Sequence, residues 1–453
     1  MAGSLFSIIK KCANVQKQVL VSLSIALALA APDASADLAY LHQIAHEVVD
    51  ASRVVPGASI SNGGKNTTGF ALRVPGGTQS FYPAFWIRDA AMMLGGDLVP
   101  ADEIDGWIKV VAATQPGPAG LTFAHGLIIP GYSAPDHITL QGEACWFPGA
   151  YTNQGDGAYG FLPPADDAFF FLQMVHAKWM LSRNAEWFDG PVSTGWGQHP
   201  LSEVCDRAFE SVATDPATGL VICDATPGHT RVDWGFCDSV RKTGVCLMPS
   251  LLRWQAARRL AGLHTARKRT KEAKRYRQIA DGIAKNLTRA FFSPISASEG
   301  RLMSATGIGN QDDIWASAFA VWLGVLPRRT EMRVARHLQS LCRDGSTVQA
   351  GQVRQLPKSG PLLGNWQQAT SGRDDYQNGG YWATPTGWLV VALGKVDRIA
   401  SDRLMHDYAQ FVRENRSAGA PFEWVNANIN ARSNANYGSS AGLVYVAIAS
   451  PSK

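Results

Sequence analysis

Apolar residues recur with a helical period in twelve stretches of the chain, separated by polar segments rich in Gly and Pro. The pattern predicts helices near 38–53, 87–97, 101–114, 166–183, 200–213, 243–262, 266–291, 311–325, 328–343, 378–394, 398–415 and 436–449. The odd members of this series are amphipathic and charged, as in Arg267 to Arg289 and Arg398 to Arg413. The even members are apolar nearly all round, as in Phe169-Phe-Phe-Leu172, Ala316 to Leu323 and Trp388 to Leu393. A helix that is apolar all round is buried, while one with a polar face lies outside. Strand signals are scarce; Gly69 to Phe81 reads as a short hairpin.

Strict alternation of outer and inner helices predicts an all-α fold, an (α/α)6 barrel or six-hairpin toroid with long loops and little β structure. No Gly/Ser or Pro-rich linker divides the chain, so residues 37–453 read as one domain behind a leader at 1–36. Before each inner helix stands a short polar cluster rich in aromatic residues. These are Trp86-Ile-Arg-Asp89, Pro164-Ala-Asp-Asp167, Val232 to Arg241, Gly309 to Trp315, Asp374 to Trp382, and Phe422-Glu-Trp424 leading to Asn436-Tyr-Gly438. Loops gathered at one end of a rigid scaffold are where binding and catalytic residues concentrate. Two longer loops, 115–164 and 345–373, carry further aromatic residues, and loops of that length in a compact domain are usually functional.

Charged residues make up only 17% of the 453, and the formal net charge is +5. Lys10, Lys11 and Lys17 lie in the leader, so the remainder is less basic still, and nucleic acid is excluded as a partner. The basic run Arg267 to Arg277 spreads around an amphipathic helix and reads as a solvated face. Lys10 and Lys11, the apolar run Val19 to Ala31 and Ala34-Ser-Ala36 have the form of a cleavable signal peptide. The expectation is a secreted or periplasmic protein beginning near Asp37 and lacking a membrane span. Six cysteines would then remain, Cys145, Cys205, Cys223, Cys237, Cys246 and Cys342. Their even number in an oxidising compartment predicts one or more disulfides. Oligomeric state is not legible.

Acidic groups, tryptophans and a few arginines at one mouth suit a neutral carbohydrate. Glycoside hydrolysis needs one protonated carboxyl for the leaving oxygen and one ionised carboxyl to act on water or sugar. Asp238, with Asp233 as the alternative, precedes the sixth helix, and Glu423 precedes the last. Candidate substrate-binding residues are Trp86, Arg88, Asp89, Trp234, Arg241, Asp312, Asp313, Trp315, Asn378, Tyr381, Trp382 and Trp424. Competing structural roles exist for several of them: Asp89, Asp312 and Asp313 sit where helix caps are expected, and tryptophans also fill cores.

The order of these motifs resembles the inverting six-hairpin glycosidases of the family 63 and trehalase type. Tyr82-Pro-Ala-Phe-Trp-Ile-Arg-Asp89 is similar to their early aromatic-Arg-Asp loop. Asp233-Trp-Gly-Phe-Cys-Asp-Ser-Val-Arg241 resembles the loop that carries their general acid, which implies Asp238 in that role. Gly379 to Trp388 resembles their Gly-x-x-Trp-Pro segment, and Asn436 to Ala441 the start of their final helix. Glu423-Trp424 resembles their late loop, which implies Glu423 as general base. The departures are Trp234 standing before Gly235, three residues between Trp234 and Asp238, and the missing Tyr-Asp-Pro after the Glu.

Other signals carry less. Gly438-Ser-Ser-Ala-Gly442 fits a nucleophile elbow, but no His or acid follows Ser440. His42 and His46 stand at i and i+4 without a recognisable third ligand, so neither a metal nor a cofactor is expected. Two competing functions remain: a polysaccharide lyase or unsaturated uronyl hydrolase on the same scaffold, and a non-catalytic carbohydrate-binding protein. The lyase would need cations and Tyr or His groups for a uronate; Arg88, Arg241 and Tyr381 are available, but no paired His.

Overall fold

The computed structural model describes residues 33–77, 82–123, 126–146, 163–223, 236–430 and 432–450. Among these the chain is all-α, with short strands confined to loops. The described residues form twelve α-helices: α1 (Ala34–Ala51), α2 (Ile87–Met92), α3 (Ala101–Thr114), α4 (Asp167–Ser182), α5 (Leu201–Glu210), α6 (Leu247–Ala266), α7 (Thr270–Phe291), α8 (Ile314–Leu323), α9 (Arg328–Arg343), α10 (Thr386–Gly394), α11 (Arg398–Asn415) and α12 (Gly438–Ala449).

Packing follows the hydrophobic pattern. The even helices contact one another in a closed circuit: α2 on α4, α4 on α6, α6 on α8, α8 on α10, α10 on α12, and α12 back on α2. Odd helices lean on the outside of that circuit, α3 and α5 on α4, α7 on α6, α9 on α8, α11 on α10 and α1 on α12. In α7 only Ala273, Tyr276, Ala280, Ile283, Leu287 and Phe291 are buried, a stripe at three- and four-residue spacing. In α8 nearly every residue is buried. Asp313 caps α8 by accepting from the Ala316 amide at 3.0 Å, and Gly324 ends it with φ 65°.

α1 begins at the expected processing site. Asp33 caps it by accepting from the amides of Ser35 and Ala36. Asp37 is buried and ion-paired with Arg413 at 2.7 Å and His406 at 2.8 Å, tying α1 to α11.

Three expectations are corrected. Leu72–Arg73 pairs with Arg53–Val54, about twenty residues back along the chain. Residues 78–81 of that stretch lie outside the described residues. The tenth helix starts at Thr386, eight residues later than expected, since Gly379, Gly380 and Pro385 break the helical run. Tyr381–Trp382 is instead the middle strand of a five-stranded antiparallel sheet with Val348–Gln349, Gln352–Val353, Trp424–Val425 and Arg432–Ser433. Finally, Cys145, Cys205, Cys237, Cys246 and Cys342 are free thiols. In place of the expected disulfides, Cys205, Cys237 and Cys246 are buried as small apolar residues of the core, while Cys145 and Cys342 are half-buried.

Candidate active site

The segments that enter five of the six inner helices converge on one open cavity, with about 570 Å³ of empty space when its solvent mouth is included. Trp86, Arg88 and Asp89 come from the start of α2, and Phe236 and Asp238 from the approach to α6. Trp315 belongs to the first turn of α8, Trp382 and Thr384 precede α10, and Glu423, Tyr437 and Ser439 surround the entry to α12. Tyr82, Met92, Tyr376 and Gln377 complete the lining.

Glu423 is almost fully buried and richly bonded. Its Oε1 accepts from the Tyr82 hydroxyl at 3.1 Å; its Oε2 accepts from Ser433 Oγ at 2.9 Å and Asn434 Nδ2 at 2.6 Å. The loop sheet positions it, since the Glu423 amide donates to Ser433 O and Trp424 pairs with both Trp382 and Ser433. Burial nevertheless dominates and pushes the carboxyl up to about 7, against the hydrogen bonds from Asn434 and Ser433. A buried carboxylate is held ionised by a nearby cation or by polar donors. The donors found here are neutral.

A cation, Arg88, acts on the other carboxyl of the pair. Asp238 is partly open to the cavity, while its Oδ1 is buried without a hydrogen-bond partner among the described residues. Burial raises its pKa, Arg88 pulls it down, and the charge of Asp136 pushes it up again. Asp233, the alternative acid, lies outside the described residues, as does Trp234.

The Asp238 loop is pinned at both ends. The Phe236 amide donates to Asp166 Oδ2 at 2.7 Å, and the Ser239 amide and hydroxyl donate to Gln377 Oε1 at 2.9 and 2.8 Å. Asp166 also receives both Nε and Nη2 of Arg88, at 3.2 and 3.1 Å. One buried carboxylate therefore orients the cavity's arginine and holds the loop of its second carboxyl. Next to it, both oxygens of Asp167 are buried without partners among the described residues, and burial drives this group well above the carboxylate range. Asp89 is the third acid of the cavity. It accepts from Ser439 Oγ at 2.9 Å, and burial raises it to about 6 despite its bonds to Ser439 and Tyr437.

Trp86 is flanked by His137, whose ring stacks on it at 4.2 Å and 13°. Burial works to lower His137, but its 2.7 Å bond to Asp136 overrides this and holds it up at about 9. Asp136 thus favours the charged form of the ring that stacks on Trp86.

The remaining candidates fall outside the lining. Asp312 pairs with His337 at 2.7 Å behind α8, and Asp313 is the α8 cap. Arg241 donates to Gln368 Oε1 at 3.0 Å on the loop. Asn378 braces a turn, accepting from the Trp366 amide and donating to Ser371 O and Gly372 O. Tyr381 is buried under the sheet, with Arg354 over its ring at 5.4 Å, and Trp424 stands edge-on to Tyr376. Sequence reasoning assigned no role to Tyr376, Gln377, Asp136, Asp166 or Asp167. Asp166 and Asp167 stood in a quoted cluster, yet only the fold reveals which neighbours they meet.

No family profile matches the sequence, and no curated protein shows significant similarity to it. Solved structures do. An uncharacterised conserved protein of Thermus thermophilus aligns over 90% of this chain and 99% of its own, with TM-score 0.51 and 13% identity. A glucoamylase of Saccharomycopsis fibuligera aligns over 92% of this chain and 96% of its own, with TM-score 0.54 and 11% identity. Identities this low show a shared fold.

Proposed function

We propose that this protein is an exported glycoside hydrolase built on an (α/α)6 toroid, cleaving a neutral oligosaccharide or glycoside with inversion. The observation that carries the reading is that Asp238 and Glu423, from the approaches to α6 and α12, line one cavity with three tryptophans and three tyrosines. The whole-length structural likeness to a glucoamylase supports it at the level of scaffold. The closed circuit of inner helices supports the toroid, and the motif resemblances support the finer kinship with family 63 and trehalase-type enzymes.

In this mechanism Asp238, whose protonated form is favoured by burial and by the charge of Asp136, gives its proton to the leaving glycosidic oxygen. Glu423 takes a proton from the attacking water, its oxygens oriented by Tyr82, Ser433 and Asn434. Arg88 and Asp89 bind sugar hydroxyls, and Trp86, Trp315 and Trp382 offer ring faces or edges to the sugar. The exchanged assignment has one observation in its favour: Arg88 favours the ionised form of Asp238, while Glu423 is raised to about 7.

Charge weighs against a uronate substrate. Among the described lining residues Arg88 is the cation that could meet a uronate carboxylate, and it is already paired with Asp166. Incubation with a glycan panel tests the class: new reducing ends without absorbance from an unsaturated product support hydrolysis. Proton NMR of the first-formed anomer then tests inversion. N-terminal sequencing of the protein from its native host tests export; an intact leader on a cytoplasmic product refutes it.

A further inference from the structure

We propose that His42, His46 and Asp97 form a binding site for a divalent transition metal, Zn²⁺ by ligand type, on the outside of the helical ring. The two histidines stand one turn apart on α1, so their imidazoles lie on one face of the helix. Their spacing offered two ligands and no third. The fold supplies it from the segment joining α2 to α3.

Asp97 is delivered by Gly95 and Gly96, whose φ values are 154° and 56°. A side chain at 95 is barred, because a Cβ there would stand 2.3 Å from Val446 Cγ1 of α12. The tight approach carries Asp97 over the end of α12 onto the exposed face of α1. His42 Nε2 and His46 Nε2 are then 3.0 Å apart, and Asp97 Oδ1 lies 3.4 Å from the first and 3.2 Å from the second. Four-coordinate zinc with bonds of about 2.0–2.2 Å holds its ligand atoms about 3.3 Å from one another. The triangle already has that size.

Protons alone satisfy the arrangement poorly. An Nε2–Nε2 contact has room for one proton between two lone pairs, and the carboxylate competes for it. One dication satisfies all three lone pairs. The ring of Tyr445 lies 4.6 Å from that of His42 at 32° and fixes its orientation. The side chains of His42, His46 and Asp97 are 40%, 33% and 67% exposed, so an ion can enter from solvent and keep a water as fourth ligand. Two imidazoles and one carboxylate favour zinc, nickel or copper over magnesium or calcium. None of the three residues lines the candidate active site, so the ion would act as a clasp between α1 and the α2–α3 segment.

The test uses the full chain, stripped with EDTA and titrated with ZnCl₂ by calorimetry in a non-chelating buffer near pH 7.5. One saturable site per chain and a rise in Tm with Zn²⁺ are expected, and Co²⁺ in its place should give the visible absorption of a tetrahedral nitrogen–oxygen site. His42→Ala and His46→Ala should each weaken binding at least about tenfold, and Asp97→Asn by about the same factor. All three positions are on the surface, and unchanged circular dichroism checks that the variants fold. Absence of saturable uptake by the unaltered chain, or affinity and cobalt spectrum unchanged in all three variants, overturns the proposal.

Discussion

The Tyr82 hydroxyl donates to Glu423 Oε1 at 3.1 Å across 341 positions of sequence. Burial, with the nearby charges of Glu423 and Asp238, raises the phenol, so it remains a donor at any working pH. Its hydrogen bond lowers the pKa of Glu423. Tyr82→Phe should therefore raise that pKa further and move the acidic limb of the kcat/KM profile to higher pH. At pH 7 the loss should be about tenfold, the worth of one hydrogen bond to a charged group. A profile that keeps its acidic limb in place would contradict the coupling.

Asp238→Asn and Glu423→Gln should each reduce kcat by about 10²–10⁴-fold with smaller changes in KM. Leaving-group chemistry then separates their roles. The variant lacking the general acid should recover on glycosyl fluorides, which depart without a proton; the variant lacking the base should recover with added azide. Recovery of Glu423→Gln on fluorides and of Asp238→Asn with azide would exchange the two assignments.

Glu423 also makes a stability prediction. Its folded value, about 7, lies above the ordinary 4.5, so the folded state holds the proton more tightly than the unfolded chain. The contribution is full below about 4.5 and is lost as pH rises through about 7. Glu423→Gln cannot titrate, so relative to the unaltered chain it should gain roughly 2–3 kcal/mol between pH 4 and pH 8. Urea denaturation at the two pH values measures this, and an equal difference at both would refute it.

Asp166 is wholly buried and holds both Arg88 and the Phe236 amide. Asp166→Ala leaves a nearly buried guanidinium unpaired and should cost about 3–5 kcal/mol in chemical denaturation. It should also lower kcat, because the Asp238 loop loses its anchor. Asp166→Asn keeps one acceptor and should fall between the two.

Twelve helices and their division into inner and outer were written in the spacing of apolar residues, because a helix placed in a ring needs either one apolar face or a wholly apolar surface. The α7 stripe and the uniform α8 are local facts of composition. The polar clusters before inner helices were visible too, and Trp86, Arg88, Asp89, Asp238, Trp315, Trp382 and Glu423 do meet in one cavity. Residue type and position could not tell these from Asp312, Asp313, Asn378 and Tyr381, which stand in similar clusters but turn to His337, a helix amide, a loop and the underside of a sheet. Two-residue strands such as Tyr381–Trp382 have no period to read and exist only through partners far along the chain. The same holds for electrostatics. That Asp136 and Arg88 act on Asp238, that Tyr82 reaches Glu423, and that Asp97 completes a triangle with His42 and His46 were decided by tertiary structure, because charge, hydrogen bonding and coordination depend on distances of a few ångströms that closing the ring creates.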